Sequence, residues 1–493
     1  MKYNTSFSLH LAATGLLTAG WVTAEPTQSD YYDLTSIPIP EGVVLEGSGL
    51  SWMDEDTLVI CGRRGQIYTI SNALGSTDDM EFTLYADGLH EPVGVHAVGD
   101  WVYATQRGEL TRMKDIDGDG RADRFETLND QWGITGDYHE YAMGSAPDAD
   151  GNTWIVLCLT GSFSSQTEYR GWCVRVSPEG ELIPTASGIR SPGGIGFNSL
   201  GDVFYSDNQG PWNGSSSLKH LVPGSFQGHP GGNRWYELPA VQAAMGPEPR
   251  EPLTNSRIVT EREKIPEFVP PAIVFPHGVL GNSTSGFTYD ANGKFGPFKD
   301  QLLVLDQTFS VVNRVFLEEV NGVYQGAAFS YLEGFGSGNL AATMHDSGTL
   351  FVTGTDRGWG ARGGKPFALD RVKWNGKDPF EVHEMRARPD GFELTFTQPV
   401  DRASAGALAS YSMKSYTYIY RSDYGSPVVD PSKPTIQSVT VAADGLSARL
   451  VIDGLVKGNI HELSCEGVTN QNGDPLLHAT GYYTLNEIPN PTL

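Results

Sequence analysis

A twelve-residue acidic stretch, D-I-D-G-D-G-R-A-D-R-F-E, has the spacing of a calcium-binding loop. It places oxygen-bearing side chains at positions 1, 3, 5, 9 and 12 and glycine at position 6. Ca²⁺ takes roughly six to eight oxygen ligands, and the glycine permits the sharp turn that makes them converge. The candidate ligands are the side chains of Asp115, Asp117, Asp119, Asp123 and Glu126 and the backbone carbonyl of Arg121. The flanking residues favour strands, so we predict that a bound calcium ion would stabilise a connection between two strands and would not act as a sensor. The alternative is a solvated acidic turn without metal.

Short β-rich segments separated by Gly, Asp and Asn recur through residues 30–378 and indicate an all-β protein. Each unit has a glycine-containing apolar strand, a polar turn, a second apolar strand, a glycine-containing turn and a third strand. Six such units begin near Gly49, Val93, Gly144, Gly194, Gly286 and Gly338. Repeats of roughly 40–50 residues with three or four strands are typical of β-propellers. We therefore predict a six-bladed β-propeller over residues 30–378, with an insertion rich in Pro, Glu and Arg at about 239–271.

The pattern changes after Trp374 to strands that alternate apolar and polar residues. This spacing of strands and turns predicts a C-terminal β-sandwich of the immunoglobulin-like kind over residues 380–488. Its expected role is structural support, with contact to a carbohydrate surface as the alternative.

Residues 1–24 have the pattern of a secretory signal peptide. Lys2 precedes an apolar run over residues 7–22, and Thr23 and Ala24 precede the first acid, Glu25. We expect cleavage after Ala24 and export to the periplasm or the extracellular space. No later stretch approaches the roughly 18 apolar residues of a transmembrane helix. The formal net charge of −25 argues against a general nucleic-acid-binding function, which needs an excess of Lys and Arg.

The four cysteines are too few for a disulfide-built scaffold, and none lies in the C-x-x-C-H motif that attaches haem. Cys158 and Cys173 lie in two strand-like segments joined by a Gly- and Ser-rich connection. The sequence leaves two possibilities for them, a disulfide between neighbouring strands or two buried thiols.

Three motifs in residues 88–374 resemble those of the soluble quinoprotein glucose and sorbosone dehydrogenase superfamily. They are H-E-Y-A-M-G from His139, G-I-R-S-P-G-G with Arg190, and S-D-N-Q-G-P with Gly210 and Pro211. Members of that superfamily are six-bladed propellers that hold pyrroloquinoline quinone and calcium on the propeller axis. The resemblance implies that His139 is the general base, that Arg190 supplies positive charge to the cofactor, and that the carbonyls of Gly210 and Pro211 face its calcium. Imidazole suits a base because it titrates near neutral pH.

The sequence departs from that superfamily where the cofactor is usually held by cations. Thr308 stands in place of a lysine, and the segment G-N-L-A-A-T from Gly338 stands in place of two arginines. A glycine-rich loop with Arg357, Arg362 and Lys365 could replace these charges. Together with P-H-G at residues 276–278, this loop resembles a divergent, secreted branch of the superfamily from environmental bacteria.

Two other functions stay open at this stage. A propeller without redox chemistry could bind carbohydrate or an acidic polysaccharide, and its candidate stacking residues are Trp132, Trp212, Trp235 and Trp359. A polysaccharide lyase could use His139 with Tyr138 or Tyr141 and neutralise a uronate with Arg190. A serine hydrolase is disfavoured because no G-x-S-x-G motif precedes a predicted helix.

Overall fold

The structure, a computed structural model, describes residues 26–491. The predicted signal peptide lies outside the described residues. Strands make up most of the regular structure, which confirms the all-β class. The strands of the larger unit are β1 (Tyr32–Ser36), β2 (Gly47–Trp52), β3 (Leu58–Gly62), β4 (Ile67–Ser71), β5 (Glu81–Ala86), β6 (Val95–Val98), β7 (Trp101–Thr105), β8 (Leu110–Lys114), β9 (Arg124–Asn129), β10 (Ala142–Pro147), β11 (Thr153–Leu157), β12 (Trp172–Val176), β13 (Leu182–Ser187), β14 (Pro192–Phe197), β15 (Val203–Asp207), β16 (Ser217–His220), β17 (Ser225–Phe226), β18 (Pro271–Val274), β19 (Thr284–Tyr289), β20 (Leu302–Asp306), β21 (Val311–Val320), β22 (Val323–Leu332), β23 (Asn339–Met344), β24 (Thr349–Thr355) and β25 (Phe367–Trp374).

These strands form sheets that follow one another around a ring. In order the sheets are β2-β3-β4-β5, β6-β7-β8-β9, β10-β11-β12-β13-β17, β14-β15-β16-β18, β19-β20-β21-β22 and β23-β24-β25-β1. The first strands contact their neighbours in this order, and β23 contacts β2, so the ring is closed. The N-terminal strand β1 pairs antiparallel with β25 and thereby joins the two ends of the ring. Radial sheets around a central channel are the arrangement of a β-propeller.

Glycine in the first strands permits the close approach of neighbouring sheets. A Cβ atom on Gly194 would lie 2.5 Å from the Cα atom of Gly286, and one on Gly94 would lie 2.7 Å from the carbonyl oxygen of Gly144. Apolar side chains of adjacent sheets, such as Val59 and Val102, pack together farther from the axis. The recurrent glycine of the sequence units therefore marks the strands that surround the channel.

The C-terminal part forms two packed sheets. Its elements are β26 (Val382–Arg388), β27 (Gly391–Phe396), β28 (Ser412–Tyr418), β29 (Val428–Ser432), β30 (Thr435–Val441), β31 (Ser447–Asp453), β32 (Asn459–Ser464) and β33 (Thr480–Leu485), with the short helix Arg402–Gly406. One sheet is β26-β27-β31-β30, and the other is β33-β32-β28-β29. Strand β33 pairs with β22, so the second sheet continues into the propeller as a single sheet of eight strands.

The segment between β17 and β18 carries two short helices, α1 (Pro239–Met245) and α2 (Ile258–Arg262), after a 3-10 helix at Pro230–Glu237. Just before α2, Ser256 forms two backbone hydrogen bonds with Tyr420 of the C-terminal part, of 2.9 and 3.1 Å. Within residues 26–491, no helix is long and apolar enough to cross a membrane.

The disulfide that the sequence left open is not formed. All four cysteines are free and buried. Cys158 lies just beyond the end of β11, where its Sγ is 3.4 Å from the carbonyl oxygen of Arg190, whereas Cys173 is paired in register with Val156. The structure therefore corresponds to the second possibility, two buried thiols.

Candidate active site

A cavity of about 290 Å³ opens at one end of the central channel. The backbone of the first strands lines the channel, and Val93, Met143, Gly193 and Leu340 line both the channel and the cavity. The rest of the cavity wall comes from loops that connect strands. Because the sheets are arranged radially, these loops bring together residues that are far apart in the sequence.

His139 lies in the cavity wall, on the loop between β9 and β10. Its Nδ1 is 3.5 Å from Oδ1 of Asp137, and its ring packs edge-on against Trp359 with centroids 5.8 Å apart. The same Asp137 oxygen accepts hydrogen bonds from the backbone N–H groups of Gly161, at 2.8 Å, and His139, at 2.9 Å. Partial burial favours the protonated carboxyl, but these N–H groups outweigh it and lower the pKa of Asp137. A negative charge therefore lies beside the imidazole.

Two buried arginines that the sequence analysis missed hold this loop in place. Arg107 donates to the carbonyl oxygens of Asp137, at 2.8 Å, and Tyr138, at 2.6 Å. Arg63 donates to the hydroxyl group of Tyr141 at 2.6 Å. Both arginines also bind Glu91, at 2.7 Å each. The loop that carries His139 is thus fixed by charge-assisted hydrogen bonds from two neighbouring sheets.

A third arginine forms hydrogen bonds to the backbone of the same loop. Arg170 is fully buried and donates to the carbonyl oxygens of Gly133, Tyr141 and Arg107. Burial lowers the pKa of Arg170 to about 10. The guanidinium thus remains charged at neutral pH, although no carboxylate bonds to it among the described residues.

Arg190 is buried in the cavity wall just before β14. One of its amino groups donates to the carbonyl oxygens of Asn208, at 3.2 Å, and Gln209, at 2.7 Å. Burial lowers the pKa of Arg190. Its guanidinium packs against Gly210, where a side chain would collide with it. Asn208 and Gln209 line the cavity, whereas Gly210 and the buried Pro211 do not.

The glycine-rich loop between β24 and β25 contributes Arg357 and Trp359 to the wall. Arg357 binds Glu46 at 2.9 Å, and its carbonyl oxygen accepts a hydrogen bond from Arg63 at 2.9 Å. Arg362 instead packs over the ring of Phe309, 4.1 Å from its centroid, and does not line the cavity. The structure therefore brings three of the predicted site residues together: His139, Arg190 and Arg357.

At the positions that the sequence analysis compared with cofactor-binding cations, the side chains are neutral. Gln307 lines the cavity beside Thr308, and its amide donates to the carbonyl oxygen of Thr355 at 3.1 Å. Several buried polar atoms of the wall have no hydrogen-bond partner among the described residues: Nδ1 of His139, Nε of Arg190, Oδ1 of Asn208 and Oγ1 of Thr284. Nδ1 of His139 faces the Asp137 carboxylate. Buried polar groups are nearly always satisfied, so the other three atoms indicate a site for a polar ligand or ordered water.

Of the four tryptophans considered from the sequence, Trp359 lines the cavity. Trp132 and Trp212 are buried. Trp235 lies against Arg234, and its ring N–H donates to Ser165 at 2.6 Å. Sequence reasoning missed Tyr424, which reaches the cavity wall from the C-terminal part, and nothing in the local sequence marks it.

The acidic loop lies between β8 and β9. Carboxylate oxygens of Asp115, Asp117 and Asp123 lie within 4.8 Å of one another. Glu126 is the third residue of β9, where it forms ion pairs with Arg112, at 2.7 Å, and with Arg124. The structure thus groups three of the six predicted ligands, and calcium binding stays a prediction.

The family model described as "Domain of unknown function (DUF7133)" matches residues 64–341. This is more than half of the chain, so the chain belongs to that family. None of the curated proteins matches it.

Solved structures are similar in fold to about 70% of this chain. An oxidoreductase named as a glucose dehydrogenase from Thermus thermophilus has a TM-score of 0.50 at 17% identity, over 69% of this chain and 99% of its own. A structure named glucose dehydrogenase has a TM-score of 0.51 at 16% identity, over 70% and 99%. The aldose sugar dehydrogenase of Streptomyces coelicolor, in a form bound to pyrroloquinoline quinone, has a TM-score of 0.48 at 14% identity, over 71% and 100%. The first two similarities support the predicted propeller fold.

Proposed function

We propose that this protein is an exported dehydrogenase that oxidises a hydroxyl group of a sugar or sugar alcohol. The observation that carries the proposal is that His139, Arg190 and Arg357, from three different loops, line one polar cavity at the end of the channel. The propeller is similar in fold to proteins that bear the name glucose dehydrogenase, which is consistent with this class of reaction.

In this proposal His139 takes the proton of the reacting hydroxyl group. Its Nδ1 faces the Asp137 carboxylate at 3.5 Å, which leaves Nε2 for the substrate. The neighbouring negative charge would stabilise the imidazolium that forms. A positioned base of this kind contributes about 10²- to 10⁴-fold in rate.

Oxidation of the alcohol to a carbonyl also requires an acceptor for the hydride that leaves the same carbon. A quinone such as pyrroloquinoline quinone would supply that acceptor when bound. The wall fits an anionic, carboxylated group at two points. Among residues 26–491, Arg190 has a buried Nε–H without a partner, and Arg357 binds Glu46 through only one of its amino groups. These two arginines would hold carboxylates, and the unpartnered amide oxygen of Asn208 would accept a hydrogen bond. Gly210 and Pro211, which the sequence predicted as carbonyl ligands for a calcium ion, do not fit that role here, because neither lines the cavity and the Gly210 carbonyl oxygen accepts a hydrogen bond from the backbone N–H of Asn213 at 3.0 Å.

Titration of the purified protein with pyrroloquinoline quinone and Ca²⁺ tests the cofactor assignment. We expect saturable binding, followed by absorbance and by melting temperature, and weaker binding by Arg190→Gln than by Lys433→Gln, which changes a lysine of the C-terminal part. Absence of binding at tens of micromolar would retire the quinone mechanism.

Dye-linked oxidation of a panel of aldoses and polyols by the loaded protein tests the base. Replacing His139 with Gln should lower kcat by about 10²-fold or more, because the proton then has no acceptor. The melting temperature should not change, and His90→Gln, on an exposed histidine outside the cavity wall, should keep full activity. Full turnover by the His139 variant would disprove the assignment.

The same proposal includes the organisation inferred from the sequence. We propose cleavage after Ala24, export to the periplasm or beyond, a six-bladed propeller over residues 30–378 with an insertion at 239–271, and an immunoglobulin-like domain over 380–488. N-terminal sequencing of the secreted protein tests the cleavage site.

A further inference from the structure

The mouth of the cavity carries most of the exposed aromatic side chains of the molecule. Among residues 26–491, five large aromatic residues are exposed: Phe125 (49%), Tyr138 (39%), Phe163 (57%), Trp359 (43%) and Tyr424 (56%). Phe163, Trp359 and Tyr424 line the cavity, and Tyr138 packs against both His139 and Trp359. Large aromatic side chains are usually buried, because their burial stabilises the fold. A cluster of exposed aromatic side chains therefore marks an interaction site.

These four residues form two pairs. The rings of Phe163 and Tyr424 are 6.3 Å apart, and those of Tyr138 and Trp359 are 6.1 Å apart with an interplanar angle of 31°. Each residue comes from a different loop. Tyr424 also lies over the guanidinium of Arg190, 5.5 Å from the ring centroid. Both pairs therefore adjoin residues of the proposed reaction site.

Tyr424 is held in this position by an arm of the C-terminal part, residues 419–427 between β28 and β29. The base of the arm is anchored to the propeller. Tyr420 is fully buried against Trp212 and Phe268, and its hydroxyl donates to the carbonyl oxygen of Gly228. The backbone N–H of Trp212 donates to the carbonyl oxygen of Arg421 at 2.7 Å. A rigid base that presents an exposed tyrosine is a preorganised binding element.

The chemistry of the mouth matches a saccharide chain. A sugar ring has an apolar C–H face, which stacks on an aromatic ring, and a polar edge of hydroxyl groups. The deeper wall offers hydrogen-bonding groups to such an edge, among them Asn208, Gln209 and Gln307. The cavity of about 290 Å³ is at the lower end of ligand pockets. A longer ligand would extend past the aromatic pairs. The net charge of −25 disfavours a polyanionic chain.

We propose that the substrate is the end of a neutral oligo- or polysaccharide chain, and that Phe163 with Tyr424, and Tyr138 with Trp359, bind the sugar units beyond the one in the cavity. The inference rests on the proposed function, since it places the reacting unit in the same cavity. It assigns the arm of the C-terminal part a role in binding substrate.

Titration calorimetry with neutral hexasaccharides (cello-, malto-, xylo- and mannohexaose) and their monosaccharides tests the inference. At least one hexasaccharide should bind tenfold or more tightly than its monosaccharide. Tyr424→Ala and Phe163→Ala should each weaken hexasaccharide binding by about 3- to 10-fold and weaken monosaccharide binding by a smaller factor. Tyr424→Phe, which keeps the ring, should bind as the unchanged protein does.

Phe125→Ala is the matched control, since Phe125 is similarly exposed but lies on β9 and does not line the cavity. Three results would overturn the inference. They are equal affinity for hexasaccharides and monosaccharides, higher affinity for an oligogalacturonate than for the neutral chains, and the same loss of hexasaccharide affinity in Tyr424→Ala and Phe125→Ala. Binding is measured without turnover, so the two proposals can fail separately. If the expected binding pattern is found but the protein oxidises no sugar, the proposed function is disproved and the saccharide-binding site is still supported.

Discussion

At the scale of single residues, Glu91 is the centre of the network that supports the candidate base. Both of its oxygens are bound by arginines whose side chains are nearly inaccessible to solvent. Partial burial favours the protonated carboxyl, but Arg63 and Arg107 outweigh it and lower the pKa of Glu91. Its backbone has a φ of +47°, which is unusual for a residue with a side chain. The electrostatic pairing therefore stabilises a locally strained conformation.

Replacing Glu91 with Ala should destabilise the protein by about 3–5 kcal/mol, because two buried guanidinium groups lose their carboxylate. Urea denaturation at neutral pH measures this loss. The variant should also lose activity through displacement of the His139 loop. Asp100→Ala removes only the exposed pair with Lys114 and should leave the denaturation midpoint unchanged. A Glu91 variant as stable as that control would mean that the buried network contributes no net stability.

At the scale of strands, the contact between β14 and β19 depends on the absence of side chains. Gly194→Ala would place a methyl group 2.5 Å from the Cα atom of Gly286, so the two sheets would have to separate. We expect a loss of about 1–3 kcal/mol in the free energy of unfolding, typical of overpacked interiors. Gly360→Ala is the matched control, since its Cβ would meet no atom within 4 Å. Equal denaturation midpoints for the two variants would show that the ring tolerates wider spacing.

The loop between β8 and β9 gives a second prediction at this scale. If the three grouped aspartates bind Ca²⁺, millimolar Ca²⁺ should raise the melting temperature of the chelator-treated protein. Asp115→Asn should abolish that increase, because it removes a charged ligand. Glu126→Gln should preserve it, since Arg112 and Arg124 already bind the Glu126 carboxylate. A melting temperature that does not respond to Ca²⁺ would identify the loop as a plain acidic turn.

At the scale of the whole molecule, one continuous sheet joins the propeller to the C-terminal part. Ala327 and Ala328 of β22 pair with Tyr483 and Tyr482 of β33. Arg314 lies buried at the same junction and donates to the carbonyl oxygen of Val382 at 2.6 Å. Backbone pairing and a buried charge both cross the boundary. The arm that carries Tyr424 is therefore attached to a fixed support.

The stability of the whole molecule should fall as the pH falls from 7 to 5. Burial lowers the pKa of five histidines: that of His96 to about 4, that of His229 to about 3 and that of His461 to about 4, and those of His220 and His383 in the same direction. Unfolding restores a pKa of about 6.5, so below that pH the unfolded chain binds protons that the native protein does not. Each of the first three histidines then costs about 2 kcal/mol of stability at pH 5.

Thermal denaturation across this pH range measures the effect. Replacing His461 with Gln should reduce the pH dependence, since one of the five histidines with a lowered pKa is lost. A melting temperature that is constant between pH 7 and pH 5 would contradict the assignment of these histidines as neutral in the native state.

The amino-acid sequence by itself determined those features that depend on neighbouring residues. Its recurrent glycines and polar turns indicated the strands and their repetition, because close sheet packing excludes a Cβ at positions such as Gly194. The aspartates from Asp115 to Asp123 lie in a single loop, so their spacing could also be recognised from the sequence alone. The motif around His139 contains a residue of the cavity wall, and the role of that residue as a base stays a prediction.

Only the tertiary structure decided which distant residues meet. Arg63 binds a hydroxyl group 78 positions farther along the chain, and Tyr424 reaches the cavity from the C-terminal part. Such contacts follow from the order of the sheets around the ring and from the pairing of β22 with β33. No local pattern encodes them, because the residues next to an arginine or tyrosine in the sequence do not show whether its side chain faces a site or lies elsewhere on the surface.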